Sequence, residues 1–292
     1  MKTYEECLPC FFHQAERLLK MAKATKAVKA KILSELNEEI KKFPRTSCPP
    51  EMARIIFSIL RRHTGLKDPY AKEKKKSNEL CLKIYPKLKE MVENSKKPLM
   101  KAVELSIAGN ILDFGTKKNL RVEEELKKIL NNIRRKERPG VFNFEIFKKT
   151  LEKSEDILYL GDNAGETVFD RVLIEEILAI YKNKKITYAV KEKPILNDAL
   201  REDAVFCGLD KHCKIISSGS TAPGTVLKIC SKSFLKHFEK TSMIISKGQG
   251  NFEALYGNAK REIFFLFLAK CPVVCRERQF SVGDIVLLLQ KN

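Results

Sequence analysis

Six short, nearly continuous apolar runs punctuate the second half of the chain: Ile157–Leu160, Ile186–Val190, Lys214–Ile216, Met243–Ile245, Ile263–Leu268 and Ile285–Leu289. Most end in Gly, Ser, Asn or Asp, and several lead into helix-like stretches. A strand that is apolar at consecutive positions is buried on both faces, and strands alternating with helices build a parallel sheet covered on both sides. The pattern predicts an α/β fold: a Rossmann-like, doubly wound, mainly parallel sheet of five or six strands. Ligands of such sheets bind beyond the carboxyl ends of the strands. The polar residues that follow each run are therefore where chemistry is to be sought.

The first half reads differently. Only four of the 13 glycines lie in residues 1–150, and apolar residues recur there three or four apart, as in Met52, Ile55, Ile56, Ile59 and Leu60. That is helical spacing. Pro49 and Pro50 follow Thr46 and Ser47, as at a helix start. The expectation is an all-helical domain over 1–150 and a Rossmann-like α/β domain over 151–292.

Charge follows the same division. Residues 1–150 carry 35 Lys and Arg against 19 Asp and Glu, and residues 151–292 carry 21 against 18. A basic excess attracts phosphate-bearing partners, nucleic acid or small anions alike. The lysines are scattered among glutamates with no interleaved aromatic platform, which describes a solvated, thermophile-like surface better than a specific nucleic-acid interface. No run of 18 apolar residues occurs and the first ten residues contain no apolar signal core. A soluble, cytoplasmic protein without a membrane partner is expected.

Nine cysteines in such a chain argue against a disulfide scaffold. Cys7 and Cys10 form a C-x-x-C with His13 three residues on, and three readings stay open for them: a zinc site with His13 and Cys48, a disulfide, or buried thiols without chemistry.

The first apolar run is followed by Gly161-Asp-Asn-Ala-Gly-Glu166. Asp162 and Asn163 there offer a carboxylate and an amide carbonyl, two hard donors suited to Mg²⁺ or Mn²⁺, with Co²⁺ or Ni²⁺ as further options. Glu166 either caps the next helix, expected over Thr167–Ile180, or faces the site. After the second run, Pro194 is expected to open a helix that places Asn197 and Asp198 in its first turn, where Asp198 can give the same metal a third oxygen. The third run leads into the hydroxyl-rich loop Ser217–Thr225, whose Ser217 and neighbours suit a phosphate at a following helix start. The fourth ends in Lys247-Gly-Gln-Gly-Asn-Phe-Glu253, where Lys247 can neutralise a phosphate.

These signals, with Cys7-Leu-Pro-Cys10, Arg45-Thr-Ser and Gly109-Asn110-x-x-Asp113, stand in an order that resembles the metal-dependent damage-control phosphatases, first catalogued as domain of unknown function 89. The resemblance spans nearly the whole chain, and the C-x-x-C matches its archaeal-type branch. It implies a helical domain packed on a Rossmann-like one and a metal held by Asp162, Asn163 and Asp198. It also implies a substrate pocket lined by Asn110, Asp113, Glu166, Lys247 and Asn251. Catalysis would fall to Asp162, Glu166 and Lys247, acting on a small phosphorylated substrate with water as nucleophile. One alternative is a Rossmann-like nucleotide- or S-adenosylmethionine-binding protein, which calls for a Gly-rich turn where Asp162-Asn163-Ala164 stands. The other is nucleic-acid binding by the basic half.

Overall fold

All six apolar runs are strands of one sheet, and what each strand buries explains why. The structure, a computed structural model, describes residues 1–109 and 141–291. The strands are β1 (Asp156–Leu160), β2 (Lys185–Val190), β3 (Lys214–Ser217), β4 (Met243–Lys247), β5 (Ile263–Leu268) and β6 (Ile285–Gln290), in the order β3-β2-β1-β4-β5-β6. Every pairing is parallel except that of β6, which runs antiparallel to β5. The order reverses at β1, whose neighbours are β2 on one side and β4 on the other. This is the switch point at which a doubly wound sheet opens a crevice.

Alternate residues of a strand face opposite ways. Ile157 and Tyr159 of β1 join a core with α4 (Ala71–Glu93), α5 (Pro98–Ala108), α6 (Phe144–Lys153) and α7 (Glu166–Ile180). Leu158 and Leu160 enter a second core with α9 (Lys232–Lys240), α10 (Gln249–Leu255) and α11 (Pro272–Arg278). The short α8 (Arg201–Phe206) lies between β2 and β3 in sequence. At the N-terminus, α1 (Leu8–Met21), α2 (Lys26–Lys42) and α3 (Pro49–Thr64) bury their apolar stripes against one another, joined by Ile195 from beyond β2. Among the described residues, no helix is long and apolar enough to cross a membrane.

Two local expectations are corrected. Pro194 does not open a helix: α8 starts only at Arg201, where the Asp203 carboxylate accepts the Leu200 N–H at 3.0 Å. The residues before it are drawn into sheet-like bonding instead, with Ala164 N–H to Asn197 O at 2.8 Å and Ala199 N–H to Asp162 O at 2.8 Å. Likewise, the loop after β3 runs into a single 3₁₀ turn, Leu227–Ile229, before α9 begins at Lys232. Its hydroxyls therefore do not stand at an α-helix start.

Candidate functional site

The carboxyl ends of β1, β2 and β4 meet at the switch point. Asp162 and Asn163 lie in the turn between β1 and α7, and Asn163 forms an isolated antiparallel bridge with Asp198 from the segment after β2. The two chain segments are thus fastened by backbone bonds, and their side chains share one crevice. The Asn163 amide N–H₂ donates to Asp162 Oδ2 at 3.0 Å and to Glu166 Oε1 at 2.7 Å. That use of its nitrogen leaves the carbonyl oxygen as the amide's outward donor atom. On the β4 side, Gly248 has φ +80°, and a Cβ there would overlap the Asp162 carboxylate. Glycine is required on both counts.

Three acids of this crevice are buried: Asp162 at 8%, Glu166 at 3% and Asp198 at 2% exposure. Burial, reinforced by Asp198, pushes the Asp162 carboxyl up to about 7. Burial and the Asp162 charge do the same to Glu166, also to about 7, against the pull of Lys247 and the Asn163 hydrogen bond. Asp198 is raised to about 7 by burial, with Lys191 opposing and Glu166 adding to the shift. Buried like charges do not all ionise together: either one keeps a proton or a cation neutralises them.

The donor set fits a hard divalent cation. Asp162 and Asp198 supply anionic oxygens and Asn163 a neutral one, and Asp198 Oδ2 receives no hydrogen bond among the described residues. Among those residues, no three His, Cys, Asp or Glu side chains form a group that encloses an ion. Two carboxylates and an amide could hold such an ion only with further oxygen ligands, as from water or substrate.

Behind the crevice lies a buried polar network. Asp170, one turn along α7 from Glu166 and fully buried, accepts from Lys247 Nζ at 2.5 Å, Tyr159 OH at 2.8 Å, Ser106 Oγ at 3.1 Å and Tyr188 OH at 2.7 Å. Lys247 Nζ also donates to Ser106 O at 2.8 Å and lies 3.6 Å from Glu166 Oε2. Asn251 ties the strand ends together: its N–H₂ reaches Gly161 O at 3.1 Å and Lys247 O at 2.7 Å, while its oxygen accepts from Thr225 Oγ1 at 2.9 Å.

Comparisons with known proteins place the whole chain in a family. The family described as the damage-control phosphatase ARMT1-like domain matches residues 3–286. A damage-control phosphatase of Pyrococcus horikoshii is 35% identical over 293 residues, which is 100% of this chain and 99% of that one. The chain belongs to the damage-control phosphatase family. A second family protein so named, from Archaeoglobus fulgidus, is 35% identical over 80% of this chain and 78% of its own. The crystal structure of a domain-of-unknown-function-89 family protein from Pyrococcus horikoshii superposes with a TM-score of 0.89 at 36% identity, covering 100% of both chains.

Against the family pattern, the structure brings Asp162, Asn163, Glu166, Asp198, Lys247 and Asn251 to one end of the sheet. Ser217 stands at the exposed rim, donating to Glu192 Oε2. The deeper hydroxyls of its loop are spent on backbone, Ser218 Oγ on Val190 O at 2.9 Å and Ser220 Oγ on Gly224 O at 2.8 Å. Asn110 and Asp113 lie outside the described residues. All nine cysteines are free thiols; Cys7 is buried, Cys10 exposed, and Cys48 packs in a separate cluster with Ala222, Val226 and Ala254. Sequence reasoning missed Lys191 and Asp170. Lys191 is the first residue after β2 and is found by the same rule that found Lys247. Asp170 is a lone acid inside the apolar run Thr167-Val-Phe-Asp-Arg-Val-Leu.

Proposed function

We infer that this protein is a cytoplasmic, metal-dependent phosphatase that hydrolyses small phosphorylated metabolites, damaged ones among them. The observation that carries the reading is the trio of buried acids at the switch point, two of them bonded by the Asn163 amide N–H₂ and the third bridged to Asn163 through the backbone. The family relationship supports the same conclusion. Asp162, Asn163 and Asp198 would hold the cation, Mg²⁺ or Mn²⁺ by donor type. When bound, such an ion supplies Lewis-acid charge to the phosphoryl oxygens.

The chain's own residues do the rest. Water attacks phosphorus, the P–O bond to the leaving alkoxide breaks, and one proton must leave the water while another reaches the alkoxide. Glu166, raised to about 7 by burial and the Asp162 charge, is matched to exchange a proton near neutral pH. Lys247 keeps Glu166 in place through its charge while anchored on Asp170. Asn251 fixes the backbone at the ends of β1 and β4, and Ser217 is proposed to meet the substrate at the rim. The resemblance assigns Asn110 and Asp113 to the pocket as well.

The test is hydrolysis of p-nitrophenyl phosphate and a panel of sugar and cofactor phosphates, with and without Mg²⁺, Mn²⁺, Co²⁺ or Ni²⁺. Asp162→Ala and Asp198→Ala are expected to reduce metal-stimulated turnover to background with the fold retained. Asn163→Ala should be milder, since water can replace a neutral ligand. Full activity of Asp162→Ala, or of the wild type under excess chelator, overturns the reading.

A further inference from the structure

Two lysines are buried at the strand ends, and their surroundings differ. Lys247 makes two short bonds, to Asp170 at 2.5 Å and Ser106 O at 2.8 Å. Lys191, the first residue beyond β2, is only 4% exposed. Among the described residues, its Nζ has Asn251 Oδ1 at 3.5 Å and Asp198 Oδ2 at 3.6 Å as acceptors. Charge-assisted N–H···O bonds are about 2.7–2.9 Å long, so neither is a full bond. Asn251 Oδ1 is moreover already taken by Thr225 Oγ1 at 2.9 Å. Among the described residues, Asp198 Oδ2 in turn receives no hydrogen bond within normal distance. An ammonium has three donors, and withdrawing it from water is costly unless anionic oxygens complete its shell. Here the charge is held next to the carboxylate that the cation needs, at the crevice of the sheet.

We propose that Lys191 binds the phosphoryl group of the substrate and, without a divalent cation, stands against Asp198 as that cation's competitor. The proposal rests on the phosphatase reading and deepens it. Cation binding takes Asp198 from Lys191, and the released ammonium turns its donors to the phosphoryl oxygens. Loading the site with metal thereby creates the anion site. Lys247, held by Asp170, is not available for that contact.

The two roles of Lys191 predict effects of opposite sign, which a loosened fold would not produce. Mn²⁺ is titrated calorimetrically into metal-free protein, and inorganic phosphate into Mn²⁺-loaded protein. Lys191→Met should weaken phosphate by about tenfold or more, the loss of a charge-assisted bond, while Mn²⁺ binds as tightly as in wild type or tighter. Phosphate affinity unchanged to within about twofold, or Mn²⁺ and phosphate weakened together, overturns the proposal. If Lys191→Met gives no cooperative melt, Lys191→Arg decides: it keeps the charge, so retained phosphate binding supports the proposal, and normal Mn²⁺ binding with phosphate lost refutes it. Wild-type protein that binds no phosphate and hydrolyses no p-nitrophenyl phosphate defeats the phosphatase reading itself. Wild-type activity with an unaltered Lys191→Met defeats only the role of Lys191.

Discussion

Asp170 is the residue on which most of the buried polar chemistry converges. Four donors end on its carboxylate, and burial together with its charge pushes the Tyr159 and Tyr188 phenols well above their ordinary range. Asp170→Asn keeps the shape but leaves the fully buried Lys247 with Glu166 as its remaining acidic partner. Breaking a buried pair on one side costs about 3–5 kcal/mol, and that loss is expected in denaturant unfolding. A loss below about 1 kcal/mol, the net worth of a single ordinary hydrogen bond, would show that the network does not hold the fold. The network was partly legible, because an acid in an otherwise apolar helix face needs a partner. Which partner it finds was not: Ser106, Tyr159, Tyr188 and Lys247 are brought to it from one helix and three strands.

At the scale of elements, the helical half buttresses the site. Helix α7 has Gly165 as its N-cap, which has no side chain to cap the open N–H groups of the first turn. Asn78 of α4 supplies part of that cap from outside, accepting the Gly165 N–H at 2.6 Å and donating to Asp203 Oδ1 at 2.8 Å. Asp203 also holds Lys74 Nζ at 3.2 Å, and Arg61 of α3 donates to Pro194 O. Both loops that carry the acids are thus clamped by helices distant in sequence. Asn78→Ala should destabilise the protein by about 1–3 kcal/mol, since it orphans a buried N–H, and should weaken Mn²⁺ binding by loosening the Asp162 turn. Unchanged unfolding and unchanged Mn²⁺ affinity would remove α4 from this role.

For the whole molecule, pH and metal are linked through the buried acids. Asp162, Glu166, Asp198 and Glu253 all have carboxyls raised to about 7, burial being the largest cause in each. A folded-state pKa above the unfolded one means that the native chain holds protons the unfolded chain has released. That stability is complete below the unfolded pKa and is lost as pH rises through the folded value. In chelator, the melting temperature should therefore fall from about pH 4.5 toward pH 7 through these groups. Saturating Mn²⁺ should flatten or reverse the slope by stabilising the ionised native state. A chelated protein whose stability rises across that window would contradict the assignment. The cores bear on the proposed division near residue 150: α4 and α5 share one core with the sheet, whereas α1, α2 and α3 form another. We propose the division as one of composition and charge, across which the two parts interlock.

What the sequence determined by itself was local. Runs apolar at every position can be satisfied only between two layers, so the strands, the parallel sheet and the crevice beyond Leu160, Val190 and Lys247 were readable from periodicity. Asp162 and Asn163 were readable as hard oxygen donors for the same reason, because they follow a strand directly. Asp198 does lie beside the Asp162 turn, but not on the helix start that the sequence suggested. Pro194 permits a helix start, whereas backbone bonds from Ala164 and Ala199 draw the segment alongside the Asp162 turn. Tertiary structure decided that Lys247 is spent on a buried acid. Both lysines close an apolar run in the sequence, but Lys247 is level with Val190 and Lys191 stands one register step farther on. Successive residues face opposite ways, and Lys247 is on the face where α5 and α7 pack, so the fully buried Asp170 of α7 lies within bonding distance of its Nζ.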